Sequence, residues 1–213
     1  MQVRSLIFDF DGTVANSLDA ALRIANGLAP VFGYRPATRE EIETFRSWSY
    51  RRVASELGVS WHKIPLIAAR VRKELSENVA QMDTFEGLPS VLTELRARGF
   101  GLGILTSNSR ANVERFLSAR GLTQFDFVST SSSLWGKQRR LKALLRSLRL
   151  QASEVAYVGD EVRDVEATKP LDIRMVAVGW GFSSAENLAA HQPHRVISRP
   201  AELLDIFVQP SAP

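Results

Sequence analysis

The chain has 213 residues and a net charge of +4, and 45% of its residues are hydrophobic and 23% charged. This composition excludes an extended disordered chain, and no apolar run approaches the ~18–20 residues that cross a bilayer. The absence of cysteine excludes disulfide bonds, thiolate metal ligands and a cysteine nucleophile. Because the first apolar run is also too short for a signal peptide, we expect a cytoplasmic protein with no membrane partner.

Short apolar runs alternate with amphipathic stretches over most of the chain. The runs predict strands at 3–9, 101–106, 125–130, 155–159, 175–179 and 195–198. Helical periodicity is present at about 88–98, 109–119, 138–149, 161–168, 184–190 and 200–208. Near-continuous apolar strands between amphipathic helices are typical of an α/β fold. We therefore predict a doubly wound parallel sheet, Rossmann-like in its core, with helices on both faces.

One interval, residues 15–82, lacks any strand pattern. Its helical patterns are interrupted at Gly33, Pro36, Gly58 and Pro65, which predicts about four helices inserted after the first strand. We therefore expect two domains, a core of residues 1–14 and 83–213 and a helical cap of residues 15–82. The two chain passes that join them form the expected hinge.

Polar side chains cluster where the predicted strands end. In open α/β sheets, ligands bind beyond the carboxyl ends of the strands, so these side chains are the candidates for function. They follow the first, second and fourth strands or begin the helix after the third strand: Asp9, Asp11, Thr106, Ser107, Lys137, Asp160 and Asp164.

Four carboxylates at one edge of a sheet repel one another unless a cation lies among them. Hard oxygen ligands select Mg²⁺ over zinc, and a nearby lysine and hydroxyls indicate an anion that the metal bridges. Together these groups predict phosphoryl transfer. Asp9 and Asp11 are two residues apart at a strand end and share a face, so one can attack phosphorus. The other can donate a proton to the leaving oxygen and then activate water.

Each of these groups also has a purely structural interpretation. Asp and Gly are common in the turn after a strand, and residues 106–108 could form a helix N-cap. Lys137 could be a solvated lysine, and Asp160 and Asp164 could stabilise a helix N-terminus. The order in which the groups occur along the chain favours the catalytic interpretation.

Basic residues concentrate in one predicted helix. Its bases are Lys137, Arg139, Arg140, Lys142, Arg146 and Arg149, with no acid between them. Leu141, Leu144, Leu145 and Leu148 recur at helical spacing, so the bases form a solvated face over a buried leucine face. A surface that binds nucleic acid is the alternative, but no aromatic RNA-binding motif or zinc finger accompanies it.

The interval 46–52 combines bases, hydroxyls and aromatic rings inside the predicted cap. Trp48, Arg51 and Arg52 are candidates for contacts to a small anionic leaving group. The alternative is that Trp48 packs within the cap and the two arginines are solvated.

The motifs resemble those of the haloacid dehalogenase (HAD) superfamily, in its phosphoglycolate phosphatase-like group with a helical cap. The first motif is matched by residues 9–13 (Asp-Phe-Asp-Gly-Thr) and the second by 104–108 (Ile-Leu-Thr-Ser-Asn). The third is matched by 136–137 (Gly-Lys) and the fourth by 157–164 (Tyr-Val-Gly-Asp-Glu-Val-Arg-Asp). The resemblance covers the core and is weaker in the cap.

This resemblance implies a role for each matched residue. Asp9 would be the nucleophile that forms an aspartyl-phosphate, and Asp11 the acid/base, with its backbone carbonyl on Mg²⁺. Asp9, Asp160 and Asp164 would complete the metal site, with Glu161 as a supporting partner. Thr106, with Ser107 as an alternative, would bind the phosphoryl group, and Lys137 would neutralise the nucleophile and the phosphate.

The function expected on these grounds is an Mg²⁺-dependent phosphatase of a small phosphorylated metabolite, with phosphoglycolate as the first guess. One alternative is a phosphomutase on the same core. Another is a non-catalytic protein that binds anions or nucleic acid. A monomer or homodimer is expected, and nucleic acid is not an expected partner.

Overall fold

The computed structural model describes residues 3–130 and 136–208. Its strands are β1 (Ser5–Phe8), β2 (Gly101–Thr106), β3 (Phe127–Thr130), β4 (Val155–Gly159), β5 (Arg174–Val178) and β6 (Arg195–Ile197). These are the six predicted strands, and their ends differ from the predicted ones by two residues at most. The sequence pattern located them well because strands that are buried on both faces are apolar along their whole length.

Ten α-helices lie within the described residues. They are α1 (Leu18–Phe32), α2 (Arg39–Phe45), α3 (Tyr50–Glu56), α4 (Ile64–Glu77), α5 (Leu88–Ala97), α6 (Arg110–Ala119), α7 (Lys137–Leu148), α8 (Val162–Thr168), α9 (Ala185–Ala190) and α10 (Glu202–Ile206). Short 3₁₀ turns are at Trp61–Lys63, Val79–Gln81, Ala152–Glu154 and Lys169–Leu171. Within the described ranges, no helix combines the length and hydropathy that a membrane span requires.

The strands form one parallel sheet in the order β3-β2-β1-β4-β5-β6. β1 is central, because Leu6 pairs with Leu102 of β2 on one side and with Ala156 of β4 on the other. After β1 the chain adds β2 and β3 on one side of β1, and it then crosses over to add β4, β5 and β6 on the other side. The boundary between β1 and β4 is therefore a topological switch point. A crevice for a ligand is expected at such a point, beyond the carboxyl ends of the strands.

Helices cover both faces of this sheet, which confirms the predicted α/β, doubly wound architecture. Side chains alternate between the faces along each strand. Leu6 and Phe8 of β1 pack in one hydrophobic core with α5 and α6, and Ile7 packs in the other with α7 and α8. Of the predicted leucine face of α7, Leu141 and Leu144 are buried in the second core and Leu145 packs against it, whereas Leu148 is exposed.

The described structure of residues 15–82 is helical apart from turns and isolated bridges. α1 packs along α4. The two chain passes that connect these helices to the sheet run side by side, since the Asn16 N–H donates to the Asp83 carbonyl at 2.8 Å. The Thr84 hydroxyl also donates to the Val14 carbonyl at 2.8 Å. We call residues 15–82 the helical insert.

Gly103 of β2 faces Phe127 of β3 so closely that no side chain fits there. A Cβ atom at Gly103 would lie 2.0 Å from Cζ of Phe127. We expect Gly103→Ala to lower the free energy of unfolding by about 1–3 kcal/mol, because overpacking forces the ring or the strand to move. Urea denaturation followed by circular dichroism measures this change.

Gly27→Ala is the matched control. Gly27 lies on an exposed turn of α1, and a Cβ atom there would have no neighbour within 4 Å. Because alanine favours a helix interior over glycine, this variant should gain roughly 0.5–1 kcal/mol. Equal stability of the two variants would show that the Gly103–Phe127 contact does not constrain the sheet.

Candidate active site

Asp9 and Lys137 form a buried ion pair at the carboxyl end of β1. Asp9 follows the strand directly, and its N–H continues the sheet by donating to the Val158 carbonyl of β4 at 2.8 Å. Its Oδ1 accepts a hydrogen bond from the Phe10 N–H at 2.8 Å, and its Oδ2 accepts one from Lys137 Nζ at 2.7 Å. Lys137 begins α7 and is buried, so it is a partner of the carboxylate and not a solvated lysine.

Asp160 and Asp164 lie beside this ion pair. Lys137 Nζ also bonds to Asp164 Oδ1. One carboxylate oxygen each from Asp9, Asp160 and Asp164 lies within 4.8 Å of the others, and all three residues are buried. Residues separated by up to 155 positions in the chain thus converge where β1 and β4 end. We call Asp9, Asp160 and Asp164 the carboxylate cluster.

Asp160 is fixed by two hydrogen bonds and by close backbone approach. Its Oδ1 accepts from the Thr13 hydroxyl and its Oδ2 from the Phe182 N–H, both at 2.7 Å. A Cβ atom at Gly12 or Gly181 would lie 2.2 Å from Asp160 Oδ2. Gly12 also has a φ of +76°, which side chains other than glycine rarely adopt. The glycine of the first motif therefore creates the space that Asp160 occupies.

The cluster carries more negative charge than Lys137 neutralises. Burial, and then repulsion from Glu161, Asp9 and Asp164, holds the pKa of Asp160 well above its usual range. Burial also raises the pKa of Asp164, although Lys137 opposes that change. Burial by itself would lower the pKa of Lys137, but the Asp164 and Asp9 carboxylates raise it well above normal. The set of hard oxygen donors and its uncompensated charge fit a divalent cation.

Asp11 stands apart from the carboxylate cluster. Burial, followed by repulsion from Asp9, raises the pKa of Asp11 to about 6. Its Oδ2 accepts a hydrogen bond from Asn108 Nδ2 at 3.1 Å. A carboxyl group with this pKa is present in both protonation states near neutral pH, as a group that both donates and accepts protons requires.

The predicted phosphate-binding residues end β2. Thr106 is buried, and its hydroxyl oxygen accepts from the Asn108 N–H at 3.0 Å. Ser107 is exposed. The side chains of the two residues therefore have different surroundings, and Thr106 is the one enclosed with the other candidate groups.

Glu161 lies against the carboxylate cluster, where the sequence predicted a supporting residue. Its N–H donates to Asp164 Oδ2 at 3.1 Å, and its Oε1 accepts from Arg163 Nη2 at 2.9 Å. Burial raises the pKa of Glu161 to about 7, while Arg163 acts to lower it. Burial, and then the charge of Glu161, raises the pKa of the Tyr50 hydroxyl at the start of α3, so this part of the helical insert lies near this flank of the site.

Two of the three candidate residues of the insert, Trp48 and Arg52, have local contacts. The Trp48 ring lies 5.3 Å from the Phe45 ring, and the Arg52 guanidinium lies 3.9 Å from the centre of the Trp48 ring. Arg51 and Arg52 are exposed, and among the described residues neither forms an ion pair. These contacts match the packing alternative for Trp48, and within the described part of the chain no hydrogen bond or ion pair links Trp48, Arg51 or Arg52 to the carboxylate cluster.

Arg46, the first residue of the interval 46–52, connects the insert to the core, although it was not one of the three candidate residues named from the sequence. Its side chain donates to the carbonyls of Gly181 at 2.9 Å, of Ser183 at 3.3 Å and of Gly179. These carbonyls belong to the loop after β5, whose Phe182 N–H holds Asp160. The sequence placed Arg46 in a candidate segment but gave no signal for these contacts, because they depend on the direction of its side chain in the folded chain.

Comparison with known proteins agrees with this geometry. The model of the family described as haloacid dehalogenase-like hydrolase matches residues 6–178. The chain is 38% identical over 209 residues to a phosphoglycolate phosphatase of Synechococcus elongatus, which covers 97% of this chain and 98% of that protein. It is 26% identical to pyrophosphatase PpaX of Bacillus mycoides, again over 97% of this chain and 98% of the relative.

Solved structures share the fold. A haloacid dehalogenase-like family protein of Streptococcus pneumoniae superposes with a TM-score of 0.79 at 20% identity, covering 96% of this chain and 98% of that one. A protein of Haemophilus somnus, described as a predicted phosphoglycolate phosphatase, superposes with a TM-score of 0.77 at 18% identity, covering 97% and 98%. At these identities the likeness establishes the architecture alone.

Proposed function

The chain belongs to the haloacid dehalogenase-like hydrolase family, and on that basis we propose that it is an Mg²⁺-dependent phosphatase of a small phosphorylated metabolite. The observation that supports this most directly is the buried arrangement of Asp9 between Lys137 and the other carboxylates. An ionised carboxylate beside an ammonium group and a cation site is suited to attack a phosphoryl group whose charge these cations offset.

In the proposed reaction, a carboxylate oxygen of Asp9 attacks phosphorus and the bond from phosphorus to the ester oxygen breaks. The departing oxygen takes its proton from the Asp11 carboxyl, which leaves an alcohol, an aspartyl-phosphate and ionised Asp11. Asp11 then takes a proton from water as the water oxygen attacks phosphorus. The acyl–phosphate bond breaks, inorganic phosphate is released, and both aspartates return to their starting states.

Lys137 and Thr106 would act on the transferring group. Lys137 Nζ bonds to Asp9 and Asp164, so it would orient Asp9 and offset charge that develops on the phosphoryl oxygens. The Thr106 hydroxyl would donate to one of these oxygens while its own oxygen keeps the bond from Asn108. Ser107 is exposed and would assist only at the edge of the site.

The carboxylate cluster would hold the magnesium ion together with the backbone carbonyl of Asp11. When bound, this cation supplies charge neutralisation for the phosphoryl oxygens and permits Asp9 to approach them. Asp160 is held by Thr13 and Phe182, and Asp164 is held by Lys137 and Glu161, so the chain itself fixes the directions of these ligands.

Phosphoglycolate is the first candidate substrate because the relative that is 38% identical over nearly the whole chain is a phosphoglycolate phosphatase. The relatives named pyrophosphatase, at about a quarter identity, make pyrophosphate the second compound to examine. Both are small anions whose site would lie between the sheet and the helical insert. We expect the reaction to take place in the cytoplasm, as the composition of the chain predicted.

We further propose that the helical insert is a cap domain, residues 15–82, on a core of residues 1–14 and 83–213. The two adjacent chain passes at Asn16 and Asp83 and the contact of Arg46 with the loop after β5 support this division. A cap in this position would cover the carboxylate cluster, exclude water and select the leaving group.

The function is tested by measuring phosphate release from a panel that contains phosphoglycolate, pyrophosphate and sugar phosphates, in the presence of Mg²⁺. We expect hydrolysis by the wild type and loss of nearly all turnover in Asp9→Asn, because an amide cannot attack phosphorus. The variant should remain folded by circular dichroism. Full activity of Asp9→Asn would contradict the assignment of the nucleophile, and isomerised sugar phosphate without phosphate release would indicate a mutase.

The cation is tested by chelation. Excess EDTA should abolish phosphate release, because without the cation the carboxylate cluster would no longer be neutralised. Mg²⁺ added beyond the EDTA concentration should restore the activity. Mg²⁺ should also raise the Tm of the wild type by mass action but not that of Asp160→Asn, which lacks a ligand charge. Activity that persists in EDTA would refute the metal dependence.

The cap is tested by exchanging residues 15–82 for the corresponding helices of the Bacillus mycoides pyrophosphatase. We expect the chimaera to remain active, since the sheet and its catalytic groups are unchanged. Its preference should shift toward pyrophosphate, because the exchanged helices would now select the leaving group. The ranking of substrates by kcat/KM measures the effect. An unchanged ranking in a folded chimaera would show that the insert does not select the substrate.

A further inference from the structure

A chain of side-chain hydrogen bonds leads from the helical insert to Asp11. Asp11 Oδ2 accepts from Asn108 Nδ2 at 3.1 Å, and Asn108 Oδ1 accepts from Asn112 Nδ2 at 2.9 Å. Asn112 Oδ1 in turn accepts from the Ser76 hydroxyl of α4 at 3.0 Å. We call Asn108 and Asn112 the asparagine pair.

The partners of the pair fix the direction of both amides. Arg115 Nη2 lies 3.1 Å from Asn112 Oδ1, and a guanidinium group can only donate, so this atom of Asn112 must be the oxygen. The Ser109 N–H lies 2.8 Å from Asn108 Oδ1 and can also only donate. Asn108 therefore has to turn its NH₂ group toward Asp11, where it finds an acceptor.

The pair is not required to cap α6. The N-terminus of this helix has its own cap, since the Ser109 hydroxyl oxygen accepts from the Asn112 N–H at 3.2 Å. Asn112 is nevertheless buried, which is costly for an amide unless its polar atoms are bonded. One of these bonds, from Asn112 Nδ2 to Asn108 Oδ1, orients the Asn108 side chain.

The bond from Asn108 is directed unequally to the two oxygens of Asp11. Nδ2 is 3.1 Å from Oδ2 and 3.4 Å from Oδ1. The amide therefore holds Oδ2 more closely than Oδ1 and fixes the plane of the carboxyl group. Orientation of this kind matters for proton transfer because the donor must be within hydrogen-bond reach of the departing oxygen.

We propose that Asn108 and Asn112 are positioning residues that hold the carboxyl group of Asp11 in the direction needed for proton transfer to the leaving group, with Ser76 and Arg115 as their anchors. This inference rests on the proposed phosphatase function. Neither asparagine contacts the phosphoryl group in this role, since both act through Asp11.

The test compares two substrates that need Asp11 to different degrees. p-Nitrophenolate departs readily without a proton, whereas the alkoxide of an alkyl phosphate such as phosphoglycolate departs only as it is protonated. The quantity kcat/KM reports the steps up to this departure. Asn112→Ala should lower kcat/KM for the alkyl ester about tenfold more than for p-nitrophenyl phosphate, a fraction of what a general acid contributes.

Asn187→Ala is the matched control. Asn187 has the same place in α9 as Asn112 in α6, because its N–H donates to a serine N-cap, Ser184, at 3.2 Å. The control should leave the ratio of the two kcat/KM values at the wild-type value. A loss in Asn112→Ala that is equal for both substrates, or no loss, would overturn the proposal.

Two further measurements test the proposal if Asn112→Ala does not fold or if the wild type cleaves neither ester. Asn112→Asp keeps the shape of the side chain but loses the donor to Asn108, so the same selective loss is expected. The ¹⁵N–¹H signals of the Asn108 amide, identified by their absence in Asn108→Ala, should shift in Asp11→Asn and in Asn112→Ala. If the wild type hydrolyses no compound of the panel, the proposed function fails; if it hydrolyses only compounds other than these two esters, the proposed function stands. In both cases these amide signals decide the inference, and unchanged signals refute it.

Discussion

The ion pair of Lys137 with Asp9 and Asp164 is the interaction on which the site depends. Buried charges are tolerated only when they are paired and hydrogen-bonded, and removal of one partner from such a pair costs about 3–5 kcal/mol. Here a single ammonium group bonds to two carboxylates that lie 155 positions apart in the chain. The sheet must therefore place the ends of β1 and β4 and the start of α7 together, or the pair cannot form.

The parallel topology meets this requirement. Because β1 pairs directly with β4, Asp9 and Asp160 emerge from neighbouring strands at the switch point, and Asp164 follows within one turn of α8. Backbone approach at Gly12 and Gly181 then brings Asp160 closer than side chains at these positions would permit. Burial, and then repulsion from the neighbouring carboxylates, raises the pKa of Asp160. The negative charge that Lys137 does not neutralise makes the cluster suitable for a cation.

The sequence predicted the strands and the cluster because both follow from simple periodic or positional rules. An apolar run that is buried on two faces predicts a strand, and parallel strands carry their functional groups at one end, so Asp9 and Asp160 could be expected to meet. The asparagine pair and Arg46 follow no such rule. Their roles depend on which atom of an amide or guanidinium faces which partner, and that direction is set by tertiary packing alone. The composition of the interval 46–52 drew attention to Trp48, Arg51 and Arg52 in the insert, but it could not predict the directions in which their side chains point.

The insert reaches both flanks of the site through polar contacts of its own. Arg46 bonds to the loop that holds Asp160, and Ser76 bonds to Asn112, which leads to Asp11. Any displacement of the insert from the sheet has to break contacts on the flank of Asp160 and on the flank of Asp11. Because carbonyls and amides that lose these bonds would have to be solvated again, the position of the insert and the orientation of the catalytic groups are linked energetically. Arg115 takes part in this link from the surface, because its guanidinium donates to the Ser76 carbonyl of the insert and to Asn112 Oδ1.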